Sequence, residues 1–548
     1  MPPRRADVSR ESLDVGMVLS LGAVMKPRWH VQLWLVAFGV LSPMLGYANP
    51  EAPGMYDARN MGMGGAGVAH LNSPAAVLHN PANLVEAEAS QNQSAFTLLA
   101  VKLGGSFAGP DEYQESPWIA VPLPFWGYVE KASNDFSYGA SFYLALGFGG
   151  GYEDVKRYGT GKPCTYDPSD VIINDGSGGV TLDPDAIDND QCLSQGREEM
   201  VNMAIFELAF PFSYRVTDKL KLGVSLRFPF GMFEQQTTED FAGAFTDPDS
   251  PVGSYGLGFT QVTSKMYGVG NPGVLLGVSY DVTDYFTVAA SYRTKTTTVM
   301  KGSTDVVLDS NMLLAPAITT FGGLPVGDYA NLVNSIPGVA QLVAIRNTDD
   351  LLGVAESIAT DIDSQISWST AEAIEFGIAL QVTPSVLFAM DWRRAYYSDS
   401  NKDFIVELKE PIFETTGLDR LGQTLNWDDS DTISLGVEWN FTLHQYLRFG
   451  YSASNSATPP AYTNAFTPPP ADYQDSFYVG YGAQVGKWIL DIGFNYAAVE
   501  YTIDQPYDSD GNPVDTPTCR AGQLVKSGCP GLQTVESYFL GLSANYQY

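Results

Sequence analysis

The chain has 548 residues, of which 45% are hydrophobic and 12% aromatic, and its mean hydropathy of -0.07 excludes a protein built from membrane helices. Its 62 acidic and 30 basic residues give a formal net charge of -32, which argues against nucleic acid as a partner, because phosphates need a basic surface. That charge suits a surface in contact with water and divalent cations, or serves solubility alone. The aromatic content and the 54 glycines favour strands and turns.

An apolar stretch near the N-terminus predicts a secretory signal peptide. Lys26 and Arg28 precede an apolar run over 31–45, which is too short to span a membrane comfortably. Small residues then lead to a predicted cleavage site near Ala48. The residues before Met25 are polar, which favours Met25 as the true translation start. No later apolar run is long enough to span a membrane, so we expect an exported chain without a membrane-spanning helix.

The segment 58–91 has no strand alternation and is rich in small residues. Its notable residues are Gly62, Gly64, Gly65, Gly67, Asn80, Pro81 and Ala82. Small residues allow close backbone packing, and glycine allows tight turns. If the following strands close into a barrel, we expect this segment to fill the lumen as a plug. The alternative is a periplasmic linker.

One strand pattern repeats through the rest of the chain. From Tyr538 to Tyr548, Tyr and Leu alternate with mostly Ser, Asn, Gln and Gly, as in a strand with two different faces. Its LGLSAN core has relatives, which begin at Leu222, Leu276, Phe376, Leu435, Phe449, Val479 and Ile492. In each, bulky apolar residues share one face, and glycine shares the other with small or polar residues. The charged members Arg227, Glu438 and Asp491 all fall on the glycine face.

This pattern predicts a transmembrane β-barrel. A soluble sandwich would place Lys and Glu on its polar face, whereas Trp392, Trp439 and Trp488 here lie near strand ends on the apolar face. Alternating segments of about ten residues with aromatic girdles are typical of outer-membrane barrels. Only a closed barrel satisfies every backbone group of a sheet in lipid. We predict fourteen strands, at 93–108, 117–131, 135–149, 199–215, 219–234, 266–281, 285–301, 368–382, 385–399, 430–442, 444–456, 475–485, 487–502 and 535–548.

The stretch MGMGGAGVAHLNSPAAVLHNPANL (61–84) resembles the N-terminal hatch of the FadL/TodX family of outer-membrane transporters for hydrophobic compounds. Two strand pairs, GVSYDVTDYFTVAASYRTK and TAEAIEFGIALQVTPSVLFAMDW, also resemble family strands. The resemblance implies an all-β, monomeric barrel of about 14 strands without cofactor or metal, in the outer membrane of a Gram-negative bacterium. There it would contact membrane lipid and lipopolysaccharide. The terminal Tyr548, in place of the commoner Phe, resembles the signal read by the barrel assembly machinery.

The resemblance also implies a domain organisation and a mechanism. The domains are a signal peptide (1–48), a hatch (49–92) that carries the gating residues named above, and the barrel (93–548). Family members capture a hydrophobic ligand among external loops, bind it in the lumen and release it through a hatch rearrangement and an inward kink in the third strand. In this chain that strand contains Gly147, Gly149, Gly150 and Gly151, which weaken strand pairing. The predicted function is passive uptake of long-chain fatty acids, with aromatic hydrocarbons as the alternative.

Two sets of residues are candidates for ligand contact. The external loop 302–367 is unusually apolar, so Leu313, Leu314 and Phe321 are expected to line a groove, or else merely to pack on one another.

Alternation points Arg227, Arg293 and Lys295 into the lumen, where a guanidinium could hold a carboxylate through two parallel hydrogen bonds. The alternative is that these cations pair with lumenal acids; the candidate acids are Asp391, Glu438 and Asp491.

Four cysteines, Cys164, Cys192, Cys519 and Cys529, lie in acidic, turn-rich stretches. In an oxidising compartment the simplest pairing joins the first to the second and the third to the fourth, although pairing across the two loops stays open. Metal binding is disfavoured because no CxxC motif is present.

Three rival functions are disfavoured by particular residues. An outer-membrane phospholipase needs a Ser–His pair, and the predicted mature chain offers only His70, His79 and His444, in the hatch and a short turn. A general porin, with about 16–18 strands, leaves an aqueous lumen that a plug and an apolar loop would contradict. An adhesion barrel would not need the plug. The stretch DSDGNPVD (508–515) resembles a calcium loop but lacks the distal glutamate, which favours an acidic turn.

Overall fold

The computed structural model describes residue 51 and residues 53–107, 113–155, 172–174, 180–182, 197–240, 259–308, 359–411, 419–505, 507, 512–513 and 530–548. Predictions that lie outside the described residues concern the signal peptide, the four cysteines, Leu313, Leu314, Phe321 and most of the calcium-like stretch. Among the described residues, no helix is long and apolar enough to cross a membrane.

One antiparallel sheet contains nearly all the regular structure. The strands are β1 (Gln91–Ser106), β2 (Tyr113–Glu115), β3 (Ile119–Lys131), β4 (Phe136–Val155), β5 (Ile172–Asn174), β6 (Val180–Leu182), β7 (Arg197–Arg215), β8 (Leu220–Asp240), β9 (Phe259–Gly270), β10 (Gly273–Thr283), β11 (Phe286–Arg293), β12 (Thr296–Leu308), β13 (Ala359–Thr370), β14 (Glu372–Thr383), β15 (Val386–Tyr396), β16 (Asp403–Leu408), β17 (Arg420–Thr424), β18 (Ser430–Thr442), β19 (Gln445–Ser454), β20 (Gln474–Val485), β21 (Trp488–Ile503) and β22 (Gly531–Gln547). The last strand, β22, pairs with β1 from Gln547 opposite Gln91 to Thr534 opposite Gly104, which closes the sheet into a barrel.

The described segments form fourteen barrel strands, as predicted, although five of them are interrupted once. Each interrupted strand consists of two segments, which are β9 with β10, β11 with β12, β13 with β14, β15 with β16 and β17 with β18. β2 adds to the edge of β1, and β5 and β6 form a separate hairpin.

The interruptions correct the predicted strand bounds. The continuous strand predicted over 266–281 is broken around Pro272, which has no N–H to donate to a ladder. The connection predicted over 399–430 contains β16 and β17, which extend the ninth and tenth barrel strands. Between these segments the chain leaves the ladder, and Tyr397 and Trp427 become buried in the lumen.

The two faces of the barrel wall differ as the alternation predicted. On β22, Tyr538, Leu540 and Leu542 are exposed on the outside, whereas Phe539 is buried inside. Tyr538 and Tyr548 are aromatic residues exposed on this outer face, as expected for the aromatic girdles of an outer-membrane barrel.

The segment before β1 is compact and almost wholly buried. It contains helix α1 (Ala58–Gly62) and short 3-10 helices at Pro53–Met55, Pro74–Leu78 and Pro81–Glu86. Asp57 caps α1 by accepting a hydrogen bond from the Asn60 N–H at 3.2 Å. We call residues 53–90 the N-terminal segment. It packs against the inner faces of strands on several sides of the lumen.

Candidate functional site

A ring of eight glycines receives the N-terminal segment. Each is the glycine of one copy of the repeated strand motif, and together they are Gly223, Gly277, Gly377, Gly436, Gly450, Gly480, Gly493 and Gly541. A Cβ added at any of them would come within 3.0 Å of an atom of the segment. Side chains in these positions would therefore collide with the segment, which explains why the inner face of the motif is glycine.

The segment's own glycines complete this close packing. Gly64 and Gly65 have φ of 68° and 84°, a conformation that favours glycine. A Cβ on Gly64 would lie 2.8 Å from the Leu435 carbonyl oxygen. The Gly67 N–H donates to Asp391 Oδ2 at 2.6 Å, and the neighbouring Val68 N–H donates to the same oxygen at 2.9 Å.

Asn80 ties three parts of the structure together. Its Oδ1 accepts from the Ala82 N–H at 3.0 Å and caps the 3-10 helix that begins at Pro81. Its Nδ2 donates to the carbonyl oxygens of Val68 at 3.0 Å and of Val278, on β10, at 3.1 Å. The predicted gating residues are thus packed against the barrel wall, and their role in gating remains a prediction.

Part of the lumen beside the N-terminal segment is polar and rich in ion pairs. Arg227 Nη1 lies 2.8 Å and Arg293 Nη2 3.1 Å from the same oxygen of Glu207, whose other oxygen accepts from the Tyr143 hydroxyl at 2.7 Å. Both arginines face the lumen as expected, and both are paired. Their partner is Glu207 rather than any of the three acids expected from the sequence.

Lys295 differs from the two arginines. It lies in the break between β11 and β12, where strand alternation no longer fixes the direction of a side chain. The residue is exposed, and its Nζ donates to the Asp399 carbonyl oxygen at 3.0 Å.

A second group of ion pairs joins the N-terminal segment to the wall. Arg448 lies 2.7 Å from both Glu438 and Asp491, and Arg59 of helix α1 lies 3.1 Å from Glu438. Arg393 pairs with Glu51 at 2.8 Å.

The two ring nitrogens of His79 have defined neighbours. Nδ1 lies 3.0 Å from Glu375 Oε2, and Nε2 lies 2.7 Å from Asn60 Nδ2. This histidine is therefore placed to hold the segment rather than to activate a serine. Burial and the nearby Arg59 lower the pKa of His70 to about 3, which keeps that imidazole neutral.

Much of the lumen is apolar. One buried cluster joins inward-facing side chains of β1, β3, β4, β7, β8, β13 and β16 with apolar residues of the N-terminal segment. Its large members include Leu103, Leu123, Phe148, Phe233, Trp368, Phe404 and Trp427. A water-filled porin lumen would not bury such a cluster.

The third barrel strand, β4, bends into this apolar region. β4 pairs with β3 only as far as Tyr143, and a bulge at Ala145 interrupts its ladder with β7. From Tyr143 to Gly150 every residue is buried, although a strand in the wall would alternate. Gly149 has φ of 133°, and a Cβ there would overlap the Val201 carbonyl oxygen. The bend therefore requires glycine, as the sequence suggested.

The bend leaves an open edge on the neighbouring strand. In the described part of the barrel, β3 residues 119–124 pair with β1 but have no partner on the β4 side. Pro122 and Pro124 suit such an edge because they have no N–H to leave unpaired. Pro124 pairs with Phe96 of β1, which is 45% exposed on the outer apolar surface. The gap between β3 and β4 therefore lies at the level of the lipid-facing surface.

Several residues of this site were not predicted. Glu207 could have been found, because alternation within β7 places it on the inner face, in the apolar middle of the strand. Trp427 could not, because it lies in an irregular stretch between β17 and β18.

A family model matches most of the chain, and several solved structures share its fold. The family model described as outer membrane protein transport protein (OMPP1/FadL/TodX) matches residues 182–548. A FadL homologue of Pseudomonas aeruginosa is 15% identical, with 91% of this chain and 99% of that chain covered and a TM-score of 0.61. The toluene transporter TodX of P. putida is also 15% identical, with 91% of this chain and 99% of that chain covered and a TM-score of 0.58. The toluene transporter TbuX of Ralstonia pickettii is 15% identical, with 90% of this chain and 99% of that chain covered and a TM-score of 0.56. A comparison with curated protein sequences finds no match.

Proposed function

We propose a function on the premise that this chain belongs to the OMPP1/FadL/TodX family of outer membrane transport proteins, which are channels rather than enzymes. It is an outer-membrane β-barrel transporter of hydrophobic compounds. Within that activity we assign to it the passive uptake of long-chain fatty acids. Aromatic hydrocarbons are the alternative, since a FadL homologue and the toluene transporters are equally distant from it in sequence.

The observation that carries this proposal is the lumen, which contains both a large apolar cluster and a group of polar, charged side chains. A fatty acid has the same two-part character, whereas toluene has no polar group. The apolar part lies beside the unpaired edge of β3, at the height of the lipid-facing Phe96. A hydrocarbon chain could pass there from lumen to membrane without crossing water.

The proposed route has three steps. The loop predicted over 302–367 is shorter in the structure, because 302–308 and 359–367 belong to β12 and β13. The apolar stretch between these strands, residues 309–358, captures the ligand, the lumen binds it, and it leaves sideways through the gap between β3 and β4. Movement of the N-terminal segment, which acts as the hatch, and of the Gly147–Gly151 stretch gates this passage. Arg227 and Arg293 contribute positive charge to the polar part of the lumen through their shared pairing with Glu207, without contacting the ligand directly. No energy source is needed. We further propose that the barrel is a monomer surrounded by lipid and lipopolysaccharide, inserted by the barrel assembly machinery.

Uptake of labelled oleate by cells that lack their own fatty-acid transporter tests the proposal. We expect uptake when the chain is present in the outer membrane, and at least a threefold reduction in the Asn80→Ala variant. That variant loses three hydrogen bonds, two of them buried and one partly buried, each worth about 1 kcal/mol. Asn134→Ala, at an exposed turn, is the matched control and should transport normally.

Labelled toluene provides the other arm of that experiment. Toluene uptake without oleate uptake, from a correctly folded barrel, would replace the fatty acid with aromatic hydrocarbons. Uptake of neither compound would contradict both assignments.

The bend in β4 gives a second prediction. Gly149→Ala should lower oleate uptake by about tenfold, because the residue would need both a left-handed conformation and a shift of Val201, at a cost of about 1–3 kcal/mol. Gly151→Ala is the comparison variant from the same stretch. Its added Cβ would meet its nearest atom, Met200 Cβ, at an ordinary 3.6 Å, so the shape of the bend and the uptake should be unchanged. Equal uptake by the two variants, at equal surface amounts, would show that the shape of the bend does not matter for transport.

A further inference from the structure

Six aromatic rings of the described residues form a connected cluster in the apolar lumen, which we call the aromatic cluster. Its members are Phe148, Phe233, Trp368, Tyr397, Phe404 and Trp427. The rings of Trp368 and Trp427 lie 5.6 Å apart and almost perpendicular. Phe148, from the bent part of β4, contacts both indoles, with ring centroids 4.9 Å and 6.1 Å away. The cluster therefore joins the bend to the opposite wall.

Both indole N–H groups of this cluster lack a hydrogen-bond acceptor. Trp368 and Trp427 are each 1% exposed, and no described residue accepts a hydrogen bond from either Nε1. A buried donor without a partner is costly, and tryptophan usually finds one when buried. Two phenylalanines would keep aromatic packing at these positions without that cost. The pair of unused donors therefore points to an acceptor that arrives from elsewhere.

The three arginines of the lumenal ion pairs are not free to bind a ligand oxygen. Arg227 and Arg293 already share Glu207, and Arg393 already pairs with Glu51. A ligand carboxylate would have to displace a buried carboxylate to reach any of them, which is costly. The indole donors require no such exchange.

We propose that Trp368 and Trp427 receive an oxygen atom of the transported molecule through their indole N–H groups, while Phe148 and Phe404 pack against its hydrocarbon part. This inference rests on the proposed function and narrows its substrate class to amphipathic molecules with a carboxylate, ester or hydroxyl group. Indoles donate to any of these, so charge is not required. Because Phe148 belongs to the bent strand, the bound ligand lies directly against the bend.

Equilibrium binding to the purified barrel in detergent tests the proposal with three labelled probes of equal chain length: oleate, oleyl alcohol and 1-octadecene. Trp368→Phe and Trp427→Phe each remove a donor and keep an aromatic ring. We expect each to weaken binding of oleate and oleyl alcohol about fivefold, the equivalent of one net hydrogen bond, and the double variant about 25-fold. Binding of 1-octadecene should not change. Trp439→Phe is the matched control, because Trp439 is 46% exposed on the lipid-facing surface.

The remaining outcomes separate this inference from the proposed function. Unchanged oleate and alcohol binding in the double variant would overturn the inference, since the donors would then be satisfied by water or by external loop residues. Equal weakening for all three probes would also overturn it, because packing rather than donation would be the cause. If the parent barrel binds none of the probes, the proposed function itself fails. Heat-modifiable migration on gels verifies that each variant is folded.

Discussion

Gly450→Ala should displace the N-terminal segment from the lumen. The added Cβ would overlap the backbone N of Gly64 and lie 2.6 Å from its Cα, so the collision is between two backbones. Neither side can rotate away, because β19 is paired on both sides and Gly64 holds a left-handed turn. We expect a cost of about 3 kcal/mol, the upper end for overpacking, and about a hundredfold increase in the displaced population.

Limited digestion with trypsin measures that displacement. Arg59 is held in helix α1 by Glu438, and the bond after it should become cleavable only when the segment leaves. Gly541→Ala is the matched control from the same ring of glycines, because its Cβ would meet the flexible end of Met61 at 3.0 Å. Equal resistance of the two variants to trypsin would contradict the interlocked packing described above.

Arg448→Met should destabilise the barrel by about 3–5 kcal/mol, because it leaves a buried carboxylate without its partner. Arg448 is 1% exposed and bridges Glu438 and Asp491. Glu438 keeps Arg59, so the loss falls mainly on Asp491. The measurement is the free energy of unfolding by urea in lipid vesicles.

The double variant Arg448→Met/Asp491→Asn separates charge from packing. Without the uncompensated carboxylate, it should recover most of the stability lost by Arg448→Met alone. A double variant that is no more stable than the single one would show that the guanidinium acts by filling space. The comparison leaves the Glu438–Arg59 pair in place in both proteins.

The sequence predicted the barrel well because strand alternation reports directly on which side of the wall a residue faces. Each of the fourteen strands was found, and the charged Glu438 and Asp491 do face the lumen. Alternation fails where the ladder is interrupted. Lys295 was predicted to face the lumen from the alternation of β11, but that strand ends at Arg293.

The candidate site was less predictable because its contacts join distant parts of the chain. Arg227 was identified as lumenal, but its pairing with Glu207 depends on how β7 and β8 sit beside β11. Likewise, the glycines of the repeated motif were recognised as one face of a strand. The sequence does not show that these glycines make room for the N-terminal segment, because a glycine does not indicate which part of the chain packs against it.

The ring of glycines has a consequence for the order of assembly. The N-terminal segment leads directly into β1, and at Ala58 and Met61 it also touches Gly541 of β22. These are the two strands whose pairing closes the barrel. Because the segment contacts both strands of the seam, each of the two arrangements stabilises the other. Seating of the N-terminal segment and pairing of β1 with β22 are therefore coupled steps of folding.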